Sequence, residues 1–218
     1  MLMVRGEATI AAGNLGTGCV TLCEMPSYHP DLQTFLVPLS ERELTLREAL
    51  DKLEAIGNEA SEVPFIVQMM ENPGFSFPPF SMFKGRVSLF QHDCIHLLLG
   101  RGTTLIDEAF TIGFTMGSSN AMSTTASKIF GYVAGHWYPK AYRFPPHANK
   151  VYEDAVHLGM VSECVPLELV DYHPYMDWKL GALREELGIE VDLLESYYRV
   201  EAARNPDIAA SQRLCPQV

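Results

Sequence analysis

The chain has 218 residues, 47% of them hydrophobic, so it is long and apolar enough to bury a substantial core, and disorder along its whole length is excluded. Its 27 acidic residues outnumber its 16 basic ones, and the formal net charge of −11 argues against nonspecific binding to nucleic acids. Five cysteines, an odd number, predict reduced thiols and a cytoplasmic location. We expect neither a transmembrane segment nor a signal peptide, because no apolar run approaches about 18 residues and the N-terminus is rich in glycine rather than leucine.

Residues 1–40 are predicted to form an irregular lead-in, because glycines and prolines recur through them. An amphipathic helix is expected from about residue 45 to residue 60, where apolar residues recur at helical spacing opposite charged ones. Residues 63–85 contain four prolines and five phenylalanines, which is too much proline for a helix. This segment either covers an apolar cavity or packs on the core as an ordered loop.

The next stretch carries metal-binding residue types at a spacing that helix geometry can use. His92 and His96 are four residues apart, so on a helix predicted over about 87–99 they lie one turn apart. Asp93 falls on the same side of that helix. Three potential ligands therefore share one helix face.

A second helix, predicted over about 104–117, supplies a fourth potential ligand. The run Gly100-Arg101-Gly102 ends the first helix, and Thr104-x-x-Asp107 resembles a capping box at the start of the second. Glu108 then lies in the first turn of the second helix. A tight turn between the two helices brings this carboxylate back beside the end of the first helix. His92 and His96 lie one to two turns further down, so the packing angle of the helices must let Glu108 reach them.

Two imidazoles with one or two carboxylates suit zinc, iron, manganese or cobalt, and magnesium stays open as a further alternative. The absence of cysteine from the set argues against an iron–sulfur or soft-metal site. The alternative for a single His–Asp pair is a hydrogen-bonded core histidine. Because His92, Asp93, His96 and Glu108 stand together at fixed offsets, we interpret them as a divalent-metal site.

The middle of this acidic chain is basic. Residues 84–150 carry seven basic and three acidic residues, so this region favours an anionic ligand. Arg101, Lys140 and Arg143 are the candidates for holding its phosphate or carboxylate group, and surface solvation is the alternative for each.

Small residues and a second Asp–His pair follow the metal helices. Gly113-x-x-x-Gly117 and Gly131-x-x-x-Gly135 each put two glycines on one helix face, which favours either tight helix packing or the approach of a ligand chain. Asp154-x-x-His157 repeats the Asp-x-x-His spacing. A second metal site or a proton relay is one interpretation of Asp154 and His157, and a solvated helix face is the other.

Helices are predicted at about 121–137, 149–160, 176–187 and 191–204, and strand signals are few. The fold class is therefore all-α. We predict a single compact multi-helix domain with the irregular lead-in at 1–40, a helical core at 41–204 that carries the metal site, and a polar tail at 205–218.

Two motifs carry a family resemblance. His92-Asp93-x-x-His96, followed after eleven residues by Glu108, resembles the signature of the ubiquinone (coenzyme Q) biosynthesis protein four family. Trp178 and the later segment Leu183-Arg184-Glu185-Glu186-Leu187-Gly188-Ile189 resemble that family's second motif. The two motifs stand in the same order over roughly residues 90–190, so the chain resembles a divergent bacterial-type member.

The resemblance implies an all-α, dimeric protein that binds a divalent metal through His92, Asp93, His96 and Glu108. It also implies work on polyprenylated aromatic precursors of ubiquinone, either by oxidative decarboxylation of the ring or as a scaffold of the biosynthetic complex. The expected partners are a prenyl-chain lipid or prenyl phosphate and a second copy of the chain, with peripheral association at the membrane. Nucleic acid is not an expected partner.

Three functions stay open from the sequence. The first is a metal-dependent decarboxylase or lyase acting on a prenylated ring. The second is a non-catalytic scaffold that binds prenyl lipids and whose metal is structural or grips the head group. The third is an HD-type phosphohydrolase, which is less favoured because the single His-Asp doublet lacks a clear upstream His and downstream Asp partner.

Overall fold

The computed structural model describes residues 34–59, 88–119 and 144–215. Seven α-helices and two short 3-10 turns occur in these ranges, and within them β-type pairing is limited to an isolated antiparallel bridge between Thr45 and Lys179. The predicted all-α class is confirmed. The helices are α1 (Leu46–Glu59), α2 (Leu89–Leu99), α3 (Leu105–Ser118), α4 (Pro146–Val161), α5 (Leu180–Glu186), α6 (Val191–Arg204) and α7 (Ala209–Gln212).

Several sequence predictions lie outside the described residues. They concern most of the lead-in at 1–40, the proline- and phenylalanine-rich segment at 63–85, the helix at 121–137 with Gly131 and Gly135, and the candidate anion-binding residues Lys140 and Arg143. Within the described ranges, no helix is long and apolar enough to cross a membrane.

Helix α1 begins at a cap that the sequence encodes locally. Thr45 and Glu48 form reciprocal hydrogen bonds, with the Thr45 N–H donating to Glu48 at 2.9 Å and the Glu48 N–H donating to the Thr45 hydroxyl at 3.2 Å. The apolar face of the helix is buried through Leu46, Ala49 and Leu50. This face packs against α2 and so supports the helix that carries both histidines.

The predicted helix at about 176–187 is shorter than expected. Residues 178–180 instead run beside residues 44–46, where the Leu46 N–H donates to the Trp178 carbonyl at 3.0 Å and the Leu180 N–H donates to the Leu44 carbonyl at 2.8 Å. These long-range bonds take the backbone out of the helical conformation, so α5 begins only at Leu180.

Helix α2 has well-defined ends. Ser88 and Gln91 form a capping box at its start. At its end, Gly100 adopts the left-handed conformation, with φ of 65°, and its N–H bonds the carbonyls of His96 and Leu97. The chain can therefore turn sharply after Leu99 and enter α3.

Two side chains from the C-terminal half bind the carbonyls at the end of α2. Arg184 of α5 is buried and donates to the carbonyl oxygens of Leu98 at 2.9 Å and Leu97 at 3.1 Å. The hydroxyl of Tyr198 on α6 donates to the Leu99 carbonyl at 2.5 Å. Carbonyls that a helix end leaves unpaired are thus satisfied by residues about 90 positions later.

The predicted glycine pair on α3 serves helix packing. A Cβ atom on Gly113 would lie 2.6 Å from the carbonyl oxygen of Tyr152, and one on Gly117 would overlap the carbonyl of Val156. Helices α3 and α4 make the most extensive helix contact in the described part of the chain. This face of α3 is therefore covered by α4 and does not border a groove for a ligand chain.

The segment predicted as a polar tail folds back on the domain. Helix α7 lies within it, and the buried Ser211 donates its hydroxyl hydrogen to Glu201 of α6 at 2.9 Å. Gln212 donates to the carbonyl of Ala202 at 2.7 Å. Residues 209–212 are consequently part of the packed structure.

Candidate metal centre

Three of the predicted ligands converge between α2 and α3. The Nε2 atoms of His92 and His96 are 2.8 Å apart. The carboxylate of Glu108 lies 3.0 Å from His92 Nε2 through Oε2 and 3.4 Å from His96 Nε2 through Oε1. Side chains from both helices therefore direct nitrogen or oxygen donors at a common point.

The cluster is enclosed by the protein. His92, His96 and Glu108 are only 6%, 3% and 6% exposed. Thr111, one turn after Glu108 on α3, places its hydroxyl oxygen 3.3 Å from Nδ1 of His96. This contact orients the imidazole so that Nε2 points into the cluster, as a hydrogen bond to the non-ligating nitrogen does at metal sites.

The spacing of the donors fits a metal ion. Tetrahedral ligands at about 2.0 to 2.2 Å from zinc lie roughly 3.3 Å from one another. The three donor separations of 2.8, 3.0 and 3.4 Å are of that size. Within the described residues, these three side chains form the one group whose potential ligand atoms all lie within 4.8 Å of one another.

The charges of the cluster are coupled. Burial alone would lower the pKa of His96, but the adjacent Glu108 carboxylate raises it above the ordinary value. Burial would likewise raise the pKa of Glu108, but His96 and His92 hold it well below its ordinary range. In the metal-free site His96 and Glu108 therefore each favour the charged form of the other, and a bound cation would compete with the proton on His96.

Asp93 stands beside the cluster rather than within it. Its side chain is partly buried, and burial raises the pKa of its carboxyl to about 6 even though His92 and His96 act in the opposite direction. Its oxygens are not among the converging ligand atoms of the described residues. Asp93 as a fourth ligand stays a prediction.

Arg101 has partners within its own chain. Its guanidinium is fully buried and donates to both carboxylate oxygens of Glu201, at 3.1 and 2.5 Å. The same group stacks between the rings of Phe110 and Tyr198, with centroid distances of 3.8 and 4.2 Å. Because its charge is compensated and it does not reach solvent, we leave Arg101 out of the proposed anion-binding site.

The second Asp–His pair lies on the surface of α4. Asp154 forms ion pairs with Lys150 at 2.8 Å and with Arg204 at 2.5 Å. His157 is exposed and is not part of a metal-binding group within the described residues. This arrangement agrees with the interpretation of Asp154 and His157 as a solvated helix face.

Comparison with known proteins does not add a relative. No family model, curated protein or solved structure matches this chain significantly. The site is therefore interpreted from its own geometry, and the family resemblance of the two motifs stays an expectation.

The sequence interpretation missed residues that support the site from outside. Glu201 was predicted only as part of a helix, yet it is 1% exposed and neutralises Arg101. Thr111 could have been found, because it lies three residues after Glu108 and so on the same face of α3. Nothing local to Glu201 signals its role, since its partner lies 100 residues earlier in the chain.

Proposed function

We propose that this chain is a metal-dependent protein of ubiquinone or prenylquinone biosynthesis. The observation that carries the proposal is the convergence of His92, His96 and Glu108, whose donor atoms lie 2.8 to 3.4 Å apart in a buried site. The quinone context comes from the resemblance of the two motifs. The substrate would be an anionic aromatic ring or isoprenoid lipid that carries a polyprenyl chain.

The donor set decides which metals are suitable. Two imidazole nitrogens and one carboxylate match zinc and iron sites as well as manganese and cobalt sites, and they leave coordination positions for other ligands. When bound, such a metal supplies Lewis-acid polarisation of a ring carboxylate or a binding position for dioxygen, as an oxidative ring decarboxylation requires.

The chain's own residues have separate tasks in this proposal. His92 and His96 hold the metal, and Glu108 offsets its charge. Thr111 fixes the orientation of His96 through Nδ1. Asp93, with its pKa raised to about 6, exchanges a proton at its carboxylate near neutral pH, which suits acid–base work beside the site.

The partners also belong to the proposal. With Arg101 paired internally, the anionic head group would be held by Lys140 and Arg143, whose types suit phosphate and carboxylate groups. We further propose a homodimer and peripheral association with the membrane that contains the prenyl lipid.

A specific observation favours a second candidate, the non-catalytic scaffold. The three ligand side chains are each no more than 6% exposed, and burial of this degree restricts the access of a substrate to a bound metal. In that case the metal would tie α2 to α3, or hold a prenyl-phosphate head group, without turnover.

One experiment separates the two candidates. Purified protein would be analysed by native mass spectrometry for a co-purifying polyprenyl lipid, and then incubated with a polyprenylated aromatic carboxylic acid, with product measured by chromatography. The enzyme hypothesis predicts a decarboxylated product that is lost in His96→Gln and retained in the surface control His157→Gln. Lipid binding with no product from any ring substrate would support the scaffold, and phosphate release from nucleotides would favour the phosphohydrolase instead.

A further inference from the structure

The C-terminal segment contacts the turn that joins the two metal-binding helices. The guanidinium of Arg213 forms an ion pair with Asp107, the residue immediately before the ligand Glu108. Arg213 reaches this position beside Gly102, where any side chain would collide with the guanidinium. Residues 106 positions apart thus meet at the start of α3.

Asp107 takes part both in the ion pair with Arg213 and in the N-terminal cap of α3. The same Asp107 oxygen that contacts Arg213 accepts hydrogen bonds from the N–H of Thr104 at 3.1 Å and from its hydroxyl at 2.6 Å. These bonds form the N-terminal cap of α3, as the sequence predicted. Arg213 therefore stabilises the N-terminal cap of α3, the helix whose first turn carries Glu108.

A second contact ties the same turn to α6. Arg101, in the turn, binds Glu201, and Glu201 also accepts a hydrogen bond from Ser211 at 2.9 Å. Arg101 further approaches Asp107, with 3.7 Å between Nη1 and Oδ1. The two arginines and two carboxylates form a compensated network in which Arg101, Asp107 and Glu201 are completely or almost completely buried.

We infer that this network, which we call the C-terminal latch (Arg101, Asp107, Glu201, Ser211 and Arg213), sets the metal affinity of the candidate site. The inference rests on the proposed metal binding. His92 and His96 lie on α2 and Glu108 on α3, so the three donors converge only if the turn between these helices has one geometry. The latch fixes that turn from the far end of the chain, and Ser211 and Arg213 act as positioning residues.

The latch differs from a purely stabilising contact because it controls the position of the ligand Glu108. Loss of Arg213 leaves the buried Asp107 with a weaker set of partners, and the first turn of α3 gains freedom where Glu108 stands. Residues that orient metal ligands without touching the metal typically contribute about 10-fold to 100-fold to metal affinity. We expect a loss of this size for Arg213→Gln, and a smaller loss, about threefold to tenfold, for Ser211→Ala, which removes one hydrogen bond.

The test measures zinc affinity and zinc release in the full-length chain. Metal-free wild type, Arg213→Gln, Arg213→Lys and Ser211→Ala would be titrated with zinc alone against a chromophoric chelator, at a temperature where circular dichroism shows each variant to be folded. Arg199→Ala is the matched control, because Arg199 is an exposed arginine of α6 that pairs only locally with Glu195 among the described contacts. We expect weaker binding and faster release in Arg213→Gln, partial recovery in Arg213→Lys, and wild-type affinity in the control.

The outcomes separate the latch from the metal site itself. If wild type binds zinc and Arg213→Gln and Ser211→Ala bind it equally well, with only a lower melting temperature, the latch is overturned and metal binding stands. If Arg213→Gln does not fold, Ser211→Ala decides by the same criterion. If wild type binds iron, manganese or cobalt rather than zinc, the same titration with that ion decides. If it binds none of the four ions, the proposed metal function fails first and the inference falls with it.

Discussion

The guanidinium of Arg184 donates to the carbonyl oxygen of Leu98 at 2.9 Å. Arg184 belongs to the second sequence motif, so this motif caps the C-terminal end of α2, the helix that carries His92 and His96 of the first motif. Arg184 also donates to Leu97 and to Leu39, at 3.1 and 3.0 Å. The two motifs, about 90 residues apart in sequence, are thus parts of one structural unit. The two motifs therefore have a structural reason to occur together in one chain, and this reason does not depend on enzymatic activity.

Replacing Arg184 should therefore cost stability more than any surface change. Arg184→Met retains the apolar stem but removes the side-chain donor to the carbonyl oxygens of Leu98 and Leu39, and we expect a loss of about 2 to 4 kcal/mol in the free energy of unfolding. Urea denaturation followed by circular dichroism measures this loss. The exposed control Arg199→Met should change it by less than about 0.5 kcal/mol, and an equally small change in Arg184→Met would contradict the capping role.

Any side chain at Gly100 should destabilise the fold. Its φ of 65° is unfavourable for other residues, and a Cβ atom there would lie 2.9 Å from the side chain of Leu39. We expect Gly100→Ala to lower the free energy of unfolding by about 1 to 2 kcal/mol, and Gly100→Asn to cost less strain because asparagine adopts this conformation more readily. Thermal melts of the two variants give the order, and an Ala variant as stable as wild type would count against the left-handed turn.

The stability of metal-free protein should depend on pH through the His96–Glu108 pair. The pKa of His96 is raised, so its contribution is complete below the ordinary value near 6.5 and is lost as pH rises through the raised value. The pKa of Glu108 is lowered, so its contribution is complete above the ordinary value near 4.5 and is lost as pH falls toward the lowered value. The window of full stabilisation is therefore about pH 4.5 to 6.5.

Urea denaturation of chelator-treated wild type and Glu108→Gln at several pH values tests this window. The stability difference between them should be largest between about pH 4.5 and 6.5 and should shrink as the pH rises above this window through the raised pKa of His96. Metal affinity should follow the opposite course and rise with pH, because the imidazole must lose its proton to bind the ion. A stability difference that grows steadily from pH 6 to 9 would show that the buried pair is not charged as described.

The local features of the fold could be predicted from the sequence. Periodicity and caps define α1 and α2, and the Thr104-x-x-Asp107 pattern correctly marked the start of α3. These elements depend on residues within a few positions of one another, so a single sequence contains their signals. The tight turn between the helices predicted that Glu108 lies beside the end of α2, whereas its contact with His92 and His96 depends on the packing angle of the two helices, which the sequence does not specify.

The long-range features could not be predicted. Arg101 was interpreted as an anion-binding residue, yet its partner Glu201 lies 100 residues away and no local pattern links them. The polar composition after residue 205 suggested a tail, whereas Ser211 and Arg213 contact Glu201 and Asp107. Such pairings depend on how distant helices pack, which neither periodicity nor spacing specifies.

The metal content of the purified chain tests the central claim most directly. Native mass spectrometry with elemental analysis would be applied to wild type, Glu108→Gln, His96→Gln and the surface control His157→Gln after incubation with zinc, iron, manganese or cobalt. We predict one divalent metal per chain in wild type and in His157→Gln, and a loss of metal from both Glu108→Gln and His96→Gln. Full metal content in those two variants, or no bound metal in the wild type with any of these ions, would contradict the account.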